Sequence, residues 1–157
     1  MTVDQKAFRE TMSCFASGVT VVTARDGAGA PVGLTVSAFS SLSLDPCLVL
    51  ICLDKRVSNL DRFRDGPFAI NILAHDQAAL SNRFASKLED RFEGVEHHAG
   101  ETGAPLLPDA LAWVECETHE VLPGGDHDII IGRVVACGRQ ADGVPLVYFR
   151  GGYRAVS

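Results

Sequence analysis

The sequence predicts a mainly β protein: an antiparallel sheet closed, or nearly closed, into a barrel, with a few helices at its periphery. Three observations lead there. About six or seven short runs rich in β-branched residues are bounded by Gly, Pro and Asp turns. Only two or three segments carry helical periodicity. No long helix alternates with the strands, as a doubly wound parallel sheet requires. Closing the sheet on itself removes the exposed edges that such strands otherwise leave.

Along the chain, Phe8, Met12 and Phe15 fall at i, i+4 and i+7, one apolar stripe of a first helix that Gly18 can stop. Val19-Thr20-Val21-Val22-Thr23 is β-branched throughout, and Gly27 with Gly29-Ala30-Pro31 supplies a turn. Val32–Phe39 and Leu48–Leu53 follow as strands, separated by a Ser-rich stretch and Asp45-Pro46, so an early antiparallel meander is expected. Ser58 with Asp61 fits a helix-start pattern, and Gly66-Pro67 closes that helix. Phe68–Leu73 reads as a strand. Asp76 can cap a helix over Gln77–Ala85, with Leu80 and Phe84 on one face. Residues from Lys87 to Pro108 are polar and rich in Gly and Pro, a long excursion of the kind that serves as a lid or binding loop. Leu111–Leu122, Ile129–Cys137 and Pro145–Phe149 complete the strands.

The chain of 157 residues, 46% hydrophobic, fits one domain over 1–157 with a full core. Its formal charge of -6 and scattered basic residues exclude nucleic acid, which demands clustered Lys and Arg. The polar start, Met1 to Lys6, lacks the order of a signal peptide, and Cys47–Leu53 is too short to span a bilayer as a helix. A cytoplasmic protein without a membrane segment is expected. Cys14, Cys47, Cys52, Cys116 and Cys137 form no CxxC pair, so each is expected to be a small core hydrophobe.

Candidate chemistry is sparse. No GxGxxG follows the first strand, no GxxxxGK[ST] or GxSxG occurs, and the scattered His residues give no metal-ligand spacing. Hydroxyls at strand ends stand out instead. Thr35 and Ser37 share one strand face within Gly33-Leu34-Thr35-Val36-Ser37-Ala38-Phe39. Ser58-Asn59 follows Lys55-Arg56 at a helix start, and Ser81, Asn82 and Arg83 lie together on the next helix, settings that favour phosphate. Gly124-Gly125-Asp126-His127-Asp128 places His127 at a strand entrance between two carboxylates. Each motif alone is equally compatible with caps, turns and solvated surface.

Taken in order, these segments resemble the flavin reductase-like family. The stretches that carry the resemblance are Phe8–Met12, Phe15–Thr23, Gly33–Phe39, Ser43–Pro46, Leu48–Leu53, Phe68–Leu73, Gln77 with Leu80-Ser81 and Phe84-Ala85, Gly125-Asp126-His127, and Pro145–Tyr148. The resemblance implies a flavin-binding split β-barrel, a Greek-key antiparallel barrel that forms a homodimer and binds FMN or FAD. Carried over by position, Thr35, Val36, Ser37 and Ala38 line the flavin ring. Cys52, Leu53 and Asp54 run along the ring and its side chain, Ser58 and Asn59 lie near the phosphate, and Asn71 and Leu73 flank the flavin. Ser81, Arg83 and Phe84 complete the phosphate end. His127 sits where the nicotinamide of NADH or NADPH stacks, with Tyr153 close by. Two departures from the family pattern are Ala38, where many relatives carry a second serine, and Cys47, where many carry a second proline.

The activity so implied is hydride transfer from nicotinamide C4 to flavin N5, supplying reduced flavin to a separate monooxygenase. The cofactors carry the redox chemistry and the protein orients them, which agrees with the lack of a triad or metal cluster in the motifs. His127, as the residue at the reacting centre, is assigned to positioning the nicotinamide. Two other readings stay open: a direct flavin-dependent oxidoreductase acting on a small organic substrate, and a non-enzymatic flavin- or haem-binding module on the same barrel.

Overall fold

A computed structural model of the chain describes residues 2–156. Helix α1 (Gln5–Met12) starts at Asp4, whose carboxylate accepts the Lys6 amide at 3.3 Å, but none of its residues is buried. Phe8 and Met12 lie on α1 and are 58% and 52% exposed, whereas Phe15, 76% exposed, lies beyond the helix, which ends at Met12 and not at the expected Gly18 stop. The strands β1 (Ser17–Gly18), β2 (Thr20–Arg25), β3 (Pro31–Val36), β4 (Phe39–Leu44) and β5 (Cys47–Asp54) follow. Then come α2 (Leu60–Arg64), β6 (Pro67–Ile72) and α3 (Ala78–Phe84). The chain closes with β7 (His98–Ala99), β8 (Pro105–Leu106), β9 (Ala112–Gly124), β10 (His127–Arg139), β11 (Val147–Phe149) and β12 (Gly152–Arg154).

Seven strands form one antiparallel sheet in the order β3-β2-β6-β9-β10-β5-β4. This arrangement corrects the expected meander. β2 and β3 pair, and β4 and β5 pair, but β3 and β4 occupy opposite edges of the sheet although only Ser37 and Ala38 separate them. The run Val32–Phe39 is therefore not one strand, and the Ser-rich stretch expected as a connection is strand β4. A sheet whose two edges are joined by two residues must curl until those edges meet, and the right-handed twist of strands supplies the curl. The β3 and β4 edges share no ladder, so the barrel is split along that line. Smaller sheets, β1-β11-β12 and β7-β8, pack outside it.

Alternation along the strands builds two cores. Val22 and Ala24 of β2 point inward with Ile51, Leu53, Phe63, Phe68, Ile70 and Ile130. Val21, on the opposite face, packs with Val19, Leu73, Phe84, Phe92 and Leu146 beneath α3. Each large apolar side chain so buried contributes roughly 1.5–3 kcal/mol, which makes these two layers the main source of stability. Leu80 and Phe84 share the packed face of α3, as their spacing predicts. Gly33 lets α3 cross β3 closely: a Cβ there would lie 3.1 Å from the Phe84 ring and from the Val22 carbonyl, a contact that those atoms would have to yield to by a few tenths of an ångström.

The helix starts differ from expectation. α2 is a single short turn entered through Asn59, whose φ of 61° is left-handed, and Ser58 does not cap it. Asp76 does not cap α3 either; Gln77 holds the N-cap position, and its side-chain carbonyl accepts the Ala74 amide at 2.8 Å. Helices of five and seven residues carry little macrodipole, so the phosphate argument from helix starts lapses. Among the described residues no helix is long and apolar enough to cross a membrane.

Only one cysteine is the core hydrophobe expected of all five. Cys116 is fully buried, Cys52 is intermediate, and Cys14, Cys47 and Cys137 are exposed. Burial first, and the neighbouring Glu115 charge second, push the Cys116 thiol up to about 12. Alkylation with iodoacetamide at pH 8 in the native state should label Cys14, Cys47 and Cys137 and spare Cys116 until denaturant is added. Rapid native labelling of Cys116, read by peptide mass spectrometry, would contradict the packing given for β6, β9 and β10.

Candidate functional site

The split in the barrel concentrates backbone that no ladder uses. At the Ser37-Ala38 crossing, the Ala38 carbonyl accepts the Cys52 amide and the Ser37 carbonyl accepts the Phe39 amide, both at 3.0 Å. The amides of Ser37 and Ala38 donate to no acceptor among the described residues, and both residues are exposed. Two adjacent exposed N–H groups beside the free Ser37 hydroxyl make a site for an acceptor-rich or anionic ligand edge. Cys52 lies on the opposite bank, with burial pushing its thiol pKa up.

From this crossing β3 and β5 both lead away on the same side, and the gap between them opens into a groove of about 590 Å³. Gly33 and Leu34 line one bank, and Arg56, Ser58 and Asn59 the other. The segment 87–92 straps across its far end. Arg83 of α3 fastens this strap, its Nε donating to the Arg91 carbonyl and its Nη2 to the Glu93 carbonyl, both at 2.6 Å. Phe92 is buried between Phe84 and His97, with ring centroids at 4.9 and 5.0 Å. Arg91 in turn donates from Nη1 to the free-edge carbonyl of Gly33 at 3.0 Å.

A second groove, about 420 Å³, lies on the α3 side of β3. Thr35, Ser37, Ser81, Asn82, Tyr148 and Tyr153 are on its walls. Thr35 donates its hydroxyl to the Ser81 carbonyl at 2.6 Å, the Ser81 and Tyr153 hydroxyls bond at 2.7 Å, and Tyr153 donates to Asn82 Oδ1 at 3.0 Å. This chain of bonds ties β3, α3 and β12 into one wall. Tyr148 ends the Pro145–Tyr148 motif but is absent from the expected site residues; it joins the wall because the β11–β12 register sets it against Tyr153, ring edge to face at 5.6 Å.

The β5 and β10 ends carry the charged corner. His127 opens β10 directly opposite Asp54, the last residue of β5. Gly125, at a φ of 67°, makes the turn that delivers it. His127 Nδ1 lies 2.7 Å from Asp126 Oδ1, and the His127 side chain is 42% exposed, open to a ligand. The bond to His127 holds the Asp126 carboxyl below the usual carboxylate range. Arg56 grips Asp54 through Nε at 3.1 Å and Nη2 at 2.8 Å, and these bonds hold the Asp54 carboxyl well below that range.

The residues expected at the site separate into groups. Thr35, Ser37, Ser81 and Tyr153 line the second groove. Ser58 and Asn59 line the first, with Val36, Ala38, Cys52, Asp54 and His127 at or near the split. Leu53, Leu73 and Phe84 are core residues, at most 1% exposed, and Val36 points its side chain into the same interior as Leu53. Asn71 is fully buried and its amide is satisfied by protein: Nδ2 donates to the Val21 carbonyl and Thr23 Oγ1, and Oδ1 accepts the Leu107 amide at 3.0 Å. Arg83 holds the strap. Lys87 and Arg91, absent from the expected set, enter because the strap folds back onto β3, a placement no local pattern signals.

Comparison with known proteins agrees with this geometry. The model of the flavin reductase like domain matches residues 12–157. A probable flavin reductase of Rhizobium meliloti is 47% identical over 152 residues, 96% of this chain and 48% of that protein. The reductase subunit of stachydrine N-demethylase from the same organism is 43% identical over 98% of this chain and 67% of its own. An NADH:FAD oxidoreductase of Streptomyces globisporus C-1027, solved in complex with NAD and FAD fragments, superposes with a TM-score of 0.92 at 34% identity. That superposition covers 100% of this chain and 97% of the other. The chain thus spans about half the length of the first of these relatives. With the family model matched over residues 12–157 and the split barrel shared with a solved relative, the chain belongs to the flavin reductase-like family.

Proposed function

We propose that the chain is an NAD(P)H-dependent flavin reductase that passes reduced FMN or FAD to a separate monooxygenase, working as a homodimer. The observation that carries this reading is the pair of unengaged amides at Ser37 and Ala38, set at the split of a barrel whose two banks form a groove. They fit the polar edge of a flavin: each N–H can donate to a ring acceptor, and each such bond to a charged acceptor contributes roughly 1.5–3 kcal/mol. The names of the relatives support the same activity, and the monooxygenase reductase subunits among them support a separate acceptor of reduced flavin.

A flavin held by the Ser37 and Ala38 amides would supply the redox chemistry, as the acceptor of a hydride from a nicotinamide placed beside His127. The chain's own residues have simpler tasks. The Ser37 and Ala38 amides stabilise the negative charge that gathers on the accepting ring. The Thr35–Ser81–Tyr153 bonds keep β3 from shifting against α3, so the amides hold their direction. His127, fixed at Nδ1 by Asp126, offers its other ring face and Nε2 to the nicotinamide. The family match, together with the exposed apolar face of α1 and Leu44 at 91% exposure, supports a second copy of the chain as the partner that covers them.

Three outcomes are expected. Under anaerobic conditions NADH absorbance should fall only when FMN or FAD is added; no turnover with either flavin or either nicotinamide, despite flavin binding, would leave a binding module instead. His127→Ala should raise the KM for NADH roughly three- to tenfold, the worth of a lost neutral hydrogen bond, and leave the flavin KM within about twofold. Equal loss of both would remove the positioning role. Sedimentation equilibrium should report a dimer that Phe8→Glu combined with Phe15→Glu dissociates, and a monomeric unaltered chain would reject the homodimer.

A further inference from the structure

His127 sits at the tip of the β9–β10 hairpin, and the sheet holds that tip from one side only. β6 pairs with β9 from Ala112 to Glu117, so from Thr118 to Gly124 β9 has β10 as its one partner strand among the described residues. A bulge at His119, which has no residue opposite it in the ladder, sets the tip off from the rest of the hairpin. Helix α2 lies beside the tip. Between them opens a cleft of about 460 Å³, walled by Lys55, Leu60, Arg64, Val121, Pro123 and Asp128. Close packing therefore does not fix the distance from tip to helix at this point.

Two polar contacts cross from the hairpin to α2. Near the base of the tip, the Thr118 hydroxyl donates to the Phe63 carbonyl at 2.7 Å and to the Gly66 carbonyl at 3.2 Å. At the far end the Asp128 carboxylate lies 3.5 Å from Arg64 Nε. The Asp128 side chain is only 6% exposed, against 48% for Arg64. A carboxylate so enclosed needs a cation, and among the described residues Arg64 is the one within ion-pair distance. Strand alternation puts Asp128 and His127 on opposite faces of β10, so a fixed Asp128 also fixes the backbone from which the His127 ring projects. The Asp126 bond cannot do this, because Asp126 belongs to the same turn and moves with it. Asp126 sets the ring against the tip, and Asp128 sets the tip against the barrel. Arg64 in turn ends α2, the helix that begins directly after Ser58 and Asn59 of the first groove.

We infer that Asp128 is a positioning residue for hydride transfer. Paired with Arg64, it anchors the hairpin tip so that the His127 ring stands where the nicotinamide arrives. What His127 meets there rests on the reductase reading; the anchor itself does not. Asp128→Asn keeps the shape of the side chain and removes its charge. In anaerobic steady-state reduction it should raise the KM for NADH roughly three- to fivefold, no more than His127→Ala does, and leave the flavin KM within about twofold. In the His127→Ala background the same substitution should change the KM for NADH less than about twofold, because the ring it acts through is gone. An unchanged KM for NADH, or a full effect that persists without His127, overturns the inference. So does a fall in kcat alone, or an equal rise in the flavin KM, as a general loss of structure produces.

A second readout needs no turnover. The ring resonance of His127, identified by its loss in His127→Ala, should shift in Asp128→Asn while those of His75, His97 and His98 stay in place. A stationary His127 resonance overturns the anchor. Collapse of all the histidine resonances means that the variant has not folded. Arg64→Gln, which breaks the same pair from its exposed end, then undergoes both measurements with the same expectations. Absence of flavin-dependent turnover in the unaltered chain removes the reductase reading, and the resonance measurement still decides whether Asp128 anchors the tip.

Discussion

The structure turns on the two-residue crossing at Ser37-Ala38, which carries the chain from one edge of a seven-stranded sheet to the other. Such a short link cannot span an open sheet, so it forces the sheet to curl until the β3 and β4 edges are adjacent. The same link cannot be part of both ladders. Its amides are left without strand partners and its residues stay exposed. A buried orphan amide is costly, and here exposure to solvent or a ligand removes that cost. The closure of the barrel and the existence of a binding edge are thus one geometric fact.

Everything around the crossing serves to keep it in place. On one side Thr35, Ser81 and Tyr153 bond in series across β3, α3 and β12. On the other the strap over residues 87–92 is drawn down by Arg83 and Phe92, and Arg91 occupies the Gly33 carbonyl at the free edge of β3. An uncovered edge strand invites pairing with another chain, and the arginine satisfies one of its acceptors while placing charge beside it. Behind the edge, Asn71 links β2, β6 and the segment before β9 with three bonds inside the core. A satisfied buried amide of this kind fixes register, so its contribution to the site is made at a distance, through the strand it aligns.

Charge is arranged with equal economy at the β5–β10 end. Asp54 and Asp126 each hold a basic partner close by, Arg56 and His127, and both carboxyls are held below the ordinary range by those bonds. All four groups are near solvent, so their value lies in orientation and not in stability. The His127 ring is held at Nδ1, and its opposite edge faces outward.

Much of this was legible in the sequence. Strand runs, the Gly125 turn that delivers His127, and the Leu80–Phe84 face of α3 follow from local pattern, because alternation, turn chemistry and helical spacing act over a few residues. The ordered motifs, from Thr35–Ala38 to Gly125-Asp126-His127, also identified the family. What local pattern could not express is which faces meet. Val32–Phe39 reads as one strand because nothing in its composition shows that the chain changes edges at Ser37. Phe8, Met12 and Phe15 read as one apolar stripe, yet all three are exposed and Phe15 lies past the helix, since spacing does not say where a helix ends or what covers its apolar face. Leu53, Leu73 and Phe84 match the motif but are enclosed in the core, and Arg91 matches none but reaches β3 across 58 residues of sequence. The sequence by itself determined most of the strand runs, the Gly125 turn and the family, since these depend on short-range sterics and ordered motifs. Only the tertiary structure decided the edges, the groove and the charge within it, because they arise from pairings between residues far apart along the chain.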